Sequence, residues 1–192
     1  VYMNVLTNFD WSVFRFVEKY IWCPALDIIM PFITHLGDAG IIWIVFAVFL
    51  MCFKKYRKFG IMMAAGLLLS LIINDSILKP LIARPRPFNF EGWPGIFKWP
   101  ALIAKPSDYS FPSGHTSSSF AAAAVLIFTK KKRIYIPSLV LAFLIAFSRI
   151  YVHVHYSTDV LAGIIGGTLY ALLAVLIVSR IDSVIKSKKK KT

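Results

Sequence analysis

Three short stretches, well separated in the chain, carry the side chains that chemistry on a phosphate group needs. They read Lys79-x6-Arg86-Pro87, Pro112-Ser113-Gly114-His115 and Ser148-Arg149-x5-His155-x3-Asp159. Lys79, Arg86 and Arg149 supply three cations, more than a carboxylate requires and suited to a phosphate dianion. Pro112 to His115 has the form of a helix start, where free backbone N–H groups and the helix dipole attract an anion. Gly114 lets that backbone approach closely. His155 and Asp159 are four residues apart, so on a helical turn both point the same way. A carboxylate on one imidazole nitrogen fixes the tautomer and leaves the other free to attack. His115, from another helix, is placed to give a proton to the departing oxygen. Together these predict phosphoryl transfer through a phosphohistidine. No cofactor is expected. A zinc site from His115, His153 and His155 would be opposed by three neighbouring cations, and acidic residues do not cluster as a two-metal site requires.

The elements that must position these stretches are membrane helices. Of the 192 residues 58% are hydrophobic and 16% charged, against about 45–50% and about 25% in soluble domains. Runs at 59–78, about 114–129, 134–152 and 160–179 read as spans, each close to the ~20 residues that cross the hydrocarbon core; 37–53 is a shorter fifth. Residues 1–36 are amphipathic instead. Trp11, Phe14, Val17, Ile21 and Trp22 recur at helical spacing around Arg15, Glu18 and Lys19, which predicts a helix lying at the interface. Pro24 interrupts it, and a second short helix follows over 28–36. The expected fold is all-α, a polytopic transmembrane helix bundle of five to six membrane helices with an interfacial N-terminal helical region. The expected organisation is a single domain: 1–36 interfacial, 37–181 the transmembrane core, 182–192 a basic cytoplasmic tail. Acidic and basic residues within the first twenty argue against a cleavable signal peptide. Cys23 and Cys52 border apolar runs and are expected as buried thiols.

A net charge of +13 would by itself suggest a nucleic-acid partner, but its placement argues otherwise. Basic clusters at 54–58, 130–133 and 180–191 follow the first, third and fifth runs and so share one face. They hold 14 of the 22 basic residues with one acidic residue, Asp182, and the rest of the chain sums to zero. The positive-inside rule makes that face cytoplasmic. The three chemical stretches then meet at one depth on the outer side. Nucleic acid is not an expected partner.

In order and spacing the three stretches resemble the signature of the type 2 phosphatidic acid phosphatase family across residues 79–159, and residues 27–40 also resemble its small bacterial members. The resemblance implies His155 as nucleophile, Asp159 as its orienting carboxylate and His115 as general acid. It implies that Lys79, Arg86, Ser113, Gly114 and Arg149 hold the phosphate, Ser113 entering through the resemblance alone. It implies six helices and a metal-independent lipid phosphatase of the bacterial cytoplasmic membrane, with its active site outward. The substrate would be a lipid phosphate or diphosphate in the bilayer, undecaprenyl diphosphate first, with phosphatidylglycerophosphate, phosphatidic acid or lipid A phosphates as alternatives. A haloperoxidase would use the same cradle for vanadate, but those enzymes are soluble. A non-catalytic lipid-phosphate binder would keep the cations and tolerate loss of His155 and Asp159.

The neighbours of these residues read as structural. His153 faces away from His155, Arg84 is a headgroup-level surface charge, and Asp75 pairs with Lys79 one turn on. His35 has no evident partner, and Gly163-x-x-x-Gly167 permits close packing within the bundle. The aromatic residues Phe88, Phe90, Trp93, Phe97, Trp99 and Tyr109 form either a lipid-entry rim or a plain interfacial belt. The charge distribution makes one expectation testable at once. A tag added after Thr192 should be shielded from a membrane-impermeant label in intact cells, and labelling from outside would overturn the sidedness.

Overall fold

The computed structural model describes residues 2–89 and 102–189, and every regular element among them is helical. Helix α1 covers Tyr2–Tyr20. Helix α2, Pro24–Leu36, begins on a proline, whose missing N–H would have had no intrahelical partner there. A turn at Asp38–Gly40, with Ala39 and Gly40 at φ 49° and 67°, leads into α3, Ile41–Cys52. Helix α4, Arg57–Leu69, continues without a break through a π-helical stretch, Ser70–Leu78, into the short α5, Lys79–Ile82. Helix α6, Gly114–Ala123, tightens into a 3-10 turn over Ala124–Thr129. Helices α7, Lys132–Tyr151, and α8, Ser157–Lys189, complete the bundle.

The segments Arg57–Asn89, Lys132–Tyr151 and Ser157–Lys189 are each long and apolar enough to cross a membrane. The run at 37–53 qualifies only jointly with α2, as a pair bent by 45° at the Asp38 turn. That joins α2, expected at the interface, to the fourth candidate span. The run at 114–129 is helical but enclosed: Phe120 to Leu126 are all buried, and α6 packs against α3, α4, α7 and α8. Its Ala- and Ser-rich sequence explains the position, since small side chains let neighbouring backbones close in. Trp43 Nε1 donates to Ser119 Oγ at 2.9 Å, and the Ser70 and Ser117 hydroxyls meet at 2.7 Å. Around this centre large apolar side chains such as Ile28, Phe32, Leu81, Ile165 and Leu176 face outward, as lipid contact requires. Cys52 is exposed and Cys23 half-buried, against the expectation of buried thiols. In lipid an apolar side chain at the bundle perimeter needs no protein cover.

The amphipathic face of α1 is also covered differently from the expectation. Trp11 and Phe14 pack with Tyr156, and Val17 with the cluster of Tyr151, Val152 and Val154, so this face seals the α7–α8 connection, while Val5, Leu6, Phe9, Phe16 and Tyr20 of α1 remain exposed. Trp22 remains exposed. At the opposite end α8 runs on to Lys189, making residues 182–189 helical, and Asp182 accepts from Lys58 at 3.0 Å and Lys186 at 2.9 Å.

The seam between α6 and α8 depends on the two glycines singled out by spacing. A Cβ on Gly163 would stand 2.9 Å from the Ser113 carbonyl, and one on Gly167 would collide with the carbonyl of Ser117. Overpacking of this kind costs about 1–3 kcal/mol. Gly167→Val is therefore expected to lower the thermal midpoint in detergent. An unchanged midpoint would show that the seam tolerates separation.

Candidate active site

The cationic cradle is built from the end of the π-helical stretch, the connection beyond α5 and the end of α7. Lys79 follows directly on the π-helical stretch, a feature frequent at functional positions. Its ammonium lies 2.9 Å from Asp75, the pairing expected from spacing, and 2.5 Å from Asp108 Oδ2. Arg86 is buried in the connection beyond α5. Its Nε donates to the Asp108 carbonyl at 2.7 Å, and its two terminal nitrogens donate to Asp108 Oδ1 at 2.5 Å and the Val154 carbonyl at 2.7 Å. Arg149, near the end of α7, donates to Thr34 Oγ1 at 2.6 Å, while its Nε has no hydrogen-bond partner among the described residues. Burial pushes the Asp108 carboxyl up, but Lys79 and Arg86 outweigh it and hold the group well below the usual carboxylate range.

His155 lies in the α7–α8 connection, 1% exposed, with Nε2 at 3.2 Å from Arg86. Burial first, then the charges of Arg149, Arg86 and Lys79, hold its imidazole well below its ordinary pKa. The ring is therefore neutral at physiological pH and has a lone pair to offer. Asp159 stands behind it, but its carboxylate is 3.6 Å from His155 Nδ1, beyond hydrogen-bond distance. The direct hydrogen bond expected from the four-residue spacing is absent because Asp159 is fully engaged elsewhere. It accepts from the Ser110 hydroxyl, from the Tyr156 N–H at 3.0 Å and from Arg84 at 2.5 Å.

Arg84 is not the surface charge expected of it. Its guanidinium bridges Asp159 and Asp10, the latter at 2.8 Å, lies over the Tyr156 ring at 3.9 Å and donates to Thr158 Oγ1. Asp10, fully buried on α1, also accepts from the Ser157 hydroxyl at 2.6 Å and from the N–H and hydroxyl of Thr158 at 2.8 Å each. It thus caps the start of α8 from another helix, placing a carboxylate at the positive end of the dipole.

Ser113 also departs from the expectation. It is the N-cap of α6, accepting from the Thr116 hydroxyl at 2.9 Å and Thr116 N–H at 3.4 Å, so its side chain turns into the helix and does not line the cavity. Gly114 does line it; a Cβ there would stand 2.8 Å from Asp75 Oδ1. The N–H groups of Gly114 and His115, at the start of α6, have no intrahelical partner. His115 Nε2 meets Asp38 Oδ1 at 2.8 Å, and Asp38 Oδ2 meets His35 Nδ1 at 2.7 Å, which supplies the partner His35 lacked in the sequence. His153 faces α1, stacked on Phe14 at 4.5 Å, as its spacing implied. Phe90, Trp93, Phe97 and Trp99 lie outside the described residues; Phe88 packs against the cluster of Val17, Met30, Tyr151, Val152 and Val154, and Tyr109 is exposed.

Lys79, Arg86, Gly114, His115, Arg149 and His155 all line one cavity of about 840 Å³. From this polar end the cavity continues between α3 and α4 past Ile44, Val48, Met51 and Leu68. Among the described residues no three His, Cys, Asp or Glu side chains converge on a metal position. The residues missed in the sequence are acidic or hydroxylic: Asp10, Asp38, Asp108 and Ser110. A usable signal existed for some of them, since the chain holds only nine acidic residues and Asp108 stands just before Pro112.

Comparison with known proteins gives a consistent result. The family model of the PAP2 superfamily matches residues 55–182. The chain is 32% identical over 172 residues to the undecaprenyl-diphosphatase of Sulfolobus acidocaldarius, covering 90% of this chain and 80% of that one. It resembles the crystal structure of Aquifex aeolicus LpxE with a TM-score of 0.71 at 26% identity, over 86% of this chain and 93% of that one. It also resembles the transmembrane PAP2-type phosphatidylglycerolphosphate phosphatase of Bacillus subtilis with a TM-score of 0.70 at 28% identity, over 95% and 88%.

The Arg84 bridge carries a stability prediction. Breaking a fully buried ion pair by removing one partner costs about 3–5 kcal/mol. Arg84 is 23% exposed, and solvent reduces that figure. At about 2–4 °C per kcal/mol in a chain of this size, Arg84→Ala should lower the thermal midpoint in detergent by several degrees, and Arg84→Lys by less. Equal midpoints for Arg84→Ala and the unaltered protein would show that the bridge contributes nothing.

Proposed function

Given that this chain belongs to the PAP2 superfamily, we propose that it hydrolyses a lipid phosphate or diphosphate through a phosphohistidine on His155, with undecaprenyl diphosphate as preferred substrate. The observation that carries this reading is the continuity of the cavity. One end is a cradle of Lys79, Arg86 and Arg149; the other is an apolar channel between α3 and α4. A ligand that fills both has an anionic head and a long hydrocarbon tail. The similarity to the undecaprenyl-diphosphatase of Sulfolobus acidocaldarius supports a polyprenyl diphosphate as first choice. The Bacillus structure supports phosphatidylglycerophosphate as the second. The basic clusters stand at the end of the bundle remote from the cradle, which supports a site on the outer leaflet of the cytoplasmic membrane.

In this reading the phosphate displaces the Asp108 carboxylate from Lys79 and Arg86 and adds Arg149 and the first N–H groups of α6. His155 Nε2 attacks phosphorus in line with the departing oxygen, which leaves with its electron pair and takes a proton from His115. Asp159, held by Arg84, Ser110 and Tyr156, stabilises the ring as it becomes positive. Water then attacks the phosphohistidine, returns a proton to His115 and releases inorganic phosphate. The fixed cations stabilise the equatorial oxygens, so no metal is called for.

The test is phosphate release in detergent from undecaprenyl diphosphate, phosphatidylglycerophosphate and phosphatidic acid, with EDTA present. Undecaprenyl diphosphate should show the highest kcat/KM, EDTA should leave it unchanged, and His155→Ala should reduce it by about 10³-fold or more. Activity abolished by EDTA, or retained in His155→Ala, would sink the mechanism.

A further inference from the structure

We infer that Asp38 is a positioning residue for the proton delivered to the leaving group, orienting the His115 ring and favouring its donor form against the neighbouring cations. The inference rests on the reading of His115 as general acid. His115 shares its cavity with Lys79, Arg149 and His155, and with Arg86 beyond them. A ring proton added beside these cations is opposed by their charge and by burial, and an adjacent anion works in the other direction. Asp38 provides that anion at 2.8 Å from Nε2.

Three features of the chain put the carboxylate there. Gly37 has no side chain to collide with His115, whose Cδ2 would stand 2.8 Å from a Cβ at that position. Ala39 and Gly40 take left-handed conformations and turn the chain between α2 and α3, so Asp38 sits at the cavity wall. A non-glycine residue in that region is held only where surrounding structure dictates it. His35, 62% exposed at its side chain, engages the second Asp38 oxygen at 2.7 Å and keeps the carboxylate from rotating towards Lys79 or Arg149.

With Nε2–H committed to Asp38, the proton that leaves is the one on Nδ1. It passes to the departing oxygen as the phosphorus–oxygen bond breaks and the His155 nitrogen–phosphorus bond forms. The neutral His115 then accepts the proton of the attacking water at the same nitrogen, which restores the starting state. Asp38 keeps its charge throughout.

The experiment compares phenyl phosphate with 4-nitrophenyl phosphate, which are close in shape but differ in how much the departing oxygen needs a proton. A general acid contributes about 10²–10⁴-fold where the leaving group is basic. Asp38→Asn and the shorter Asp38→Ser, read side by side, should lower kcat/KM on phenyl phosphate by about 10²-fold and on 4-nitrophenyl phosphate by less than about three-fold. Retained 4-nitrophenyl activity reports that each variant is folded. His115→Asn is the reference and should show the same selectivity. Selective loss in His115→Asn with equal or no loss in both Asp38 variants overturns the role of Asp38 and leaves that of His115 standing. Equal loss on both substrates in His115→Asn overturns the general-acid reading, and with it the inference.

Discussion

A guanidinium or ammonium at the end of a membrane helix is costly unless a carboxylate stands beside it, and the site is organised by that requirement. Lys79, Arg84 and Arg86 each touch an acidic side chain, and Asp108 and Asp10 are each shared with a second group. Four of the nine acidic residues, Asp10, Asp75, Asp108 and Asp159, are committed in this way, and Asp38 stands against the imidazoles of His35 and His115. The resting site is thereby close to neutral, which lets it persist at headgroup depth. It also sets the terms of the proposed reaction, in which an anionic headgroup exchanges with Asp108, the most exposed carboxylate bound directly to the cradle cations.

Around this charge cluster the bundle is a means of convergence. Helix α6 runs through the centre with small and hydroxyl side chains, so α3, α4, α7 and α8 approach it closely enough for their ends to meet. The bend at Gly37–Gly40 and the π-helical stretch before Lys79 are departures from regular helix, and both open onto the same cavity. Irregular backbone at this depth is tolerated where it lines a protein cavity, and here it presents Asp38 and Lys79.

The motif residues were legible because their chemistry is local. Lys79, Arg86, Gly114, His115, Arg149 and His155 meet in one cavity as their spacing and sidedness implied. Their carboxylate partners were not, since the pairing of Asp10 with Arg84 crosses 74 positions and no periodicity encodes it. Arg84 was misread for the same reason. Ser113 could have been read better, because a serine opening a helix prefers to cap it. Hydropathy found the run at 114–129 but says nothing about whether lipid or protein surrounds it. The enclosure of α6 is a property of packing, and so is the burial of the α1 face against the α7–α8 connection.

The cap that Asp10 places on α8 joins positions 148 apart and ties α1 to α8. During synthesis α1 emerges long before Ser157 and Thr158 exist, so Asp10 waits through the insertion of every intervening helix. The site is therefore assembled by its most distant contact, a high-contact-order closure that comes late. Until α8 arrives, the nascent chain holds its cations without the carboxylate behind His155. Assembly is thus tied to the arrival of α8, and a chain interrupted before that helix carries no working centre into the membrane.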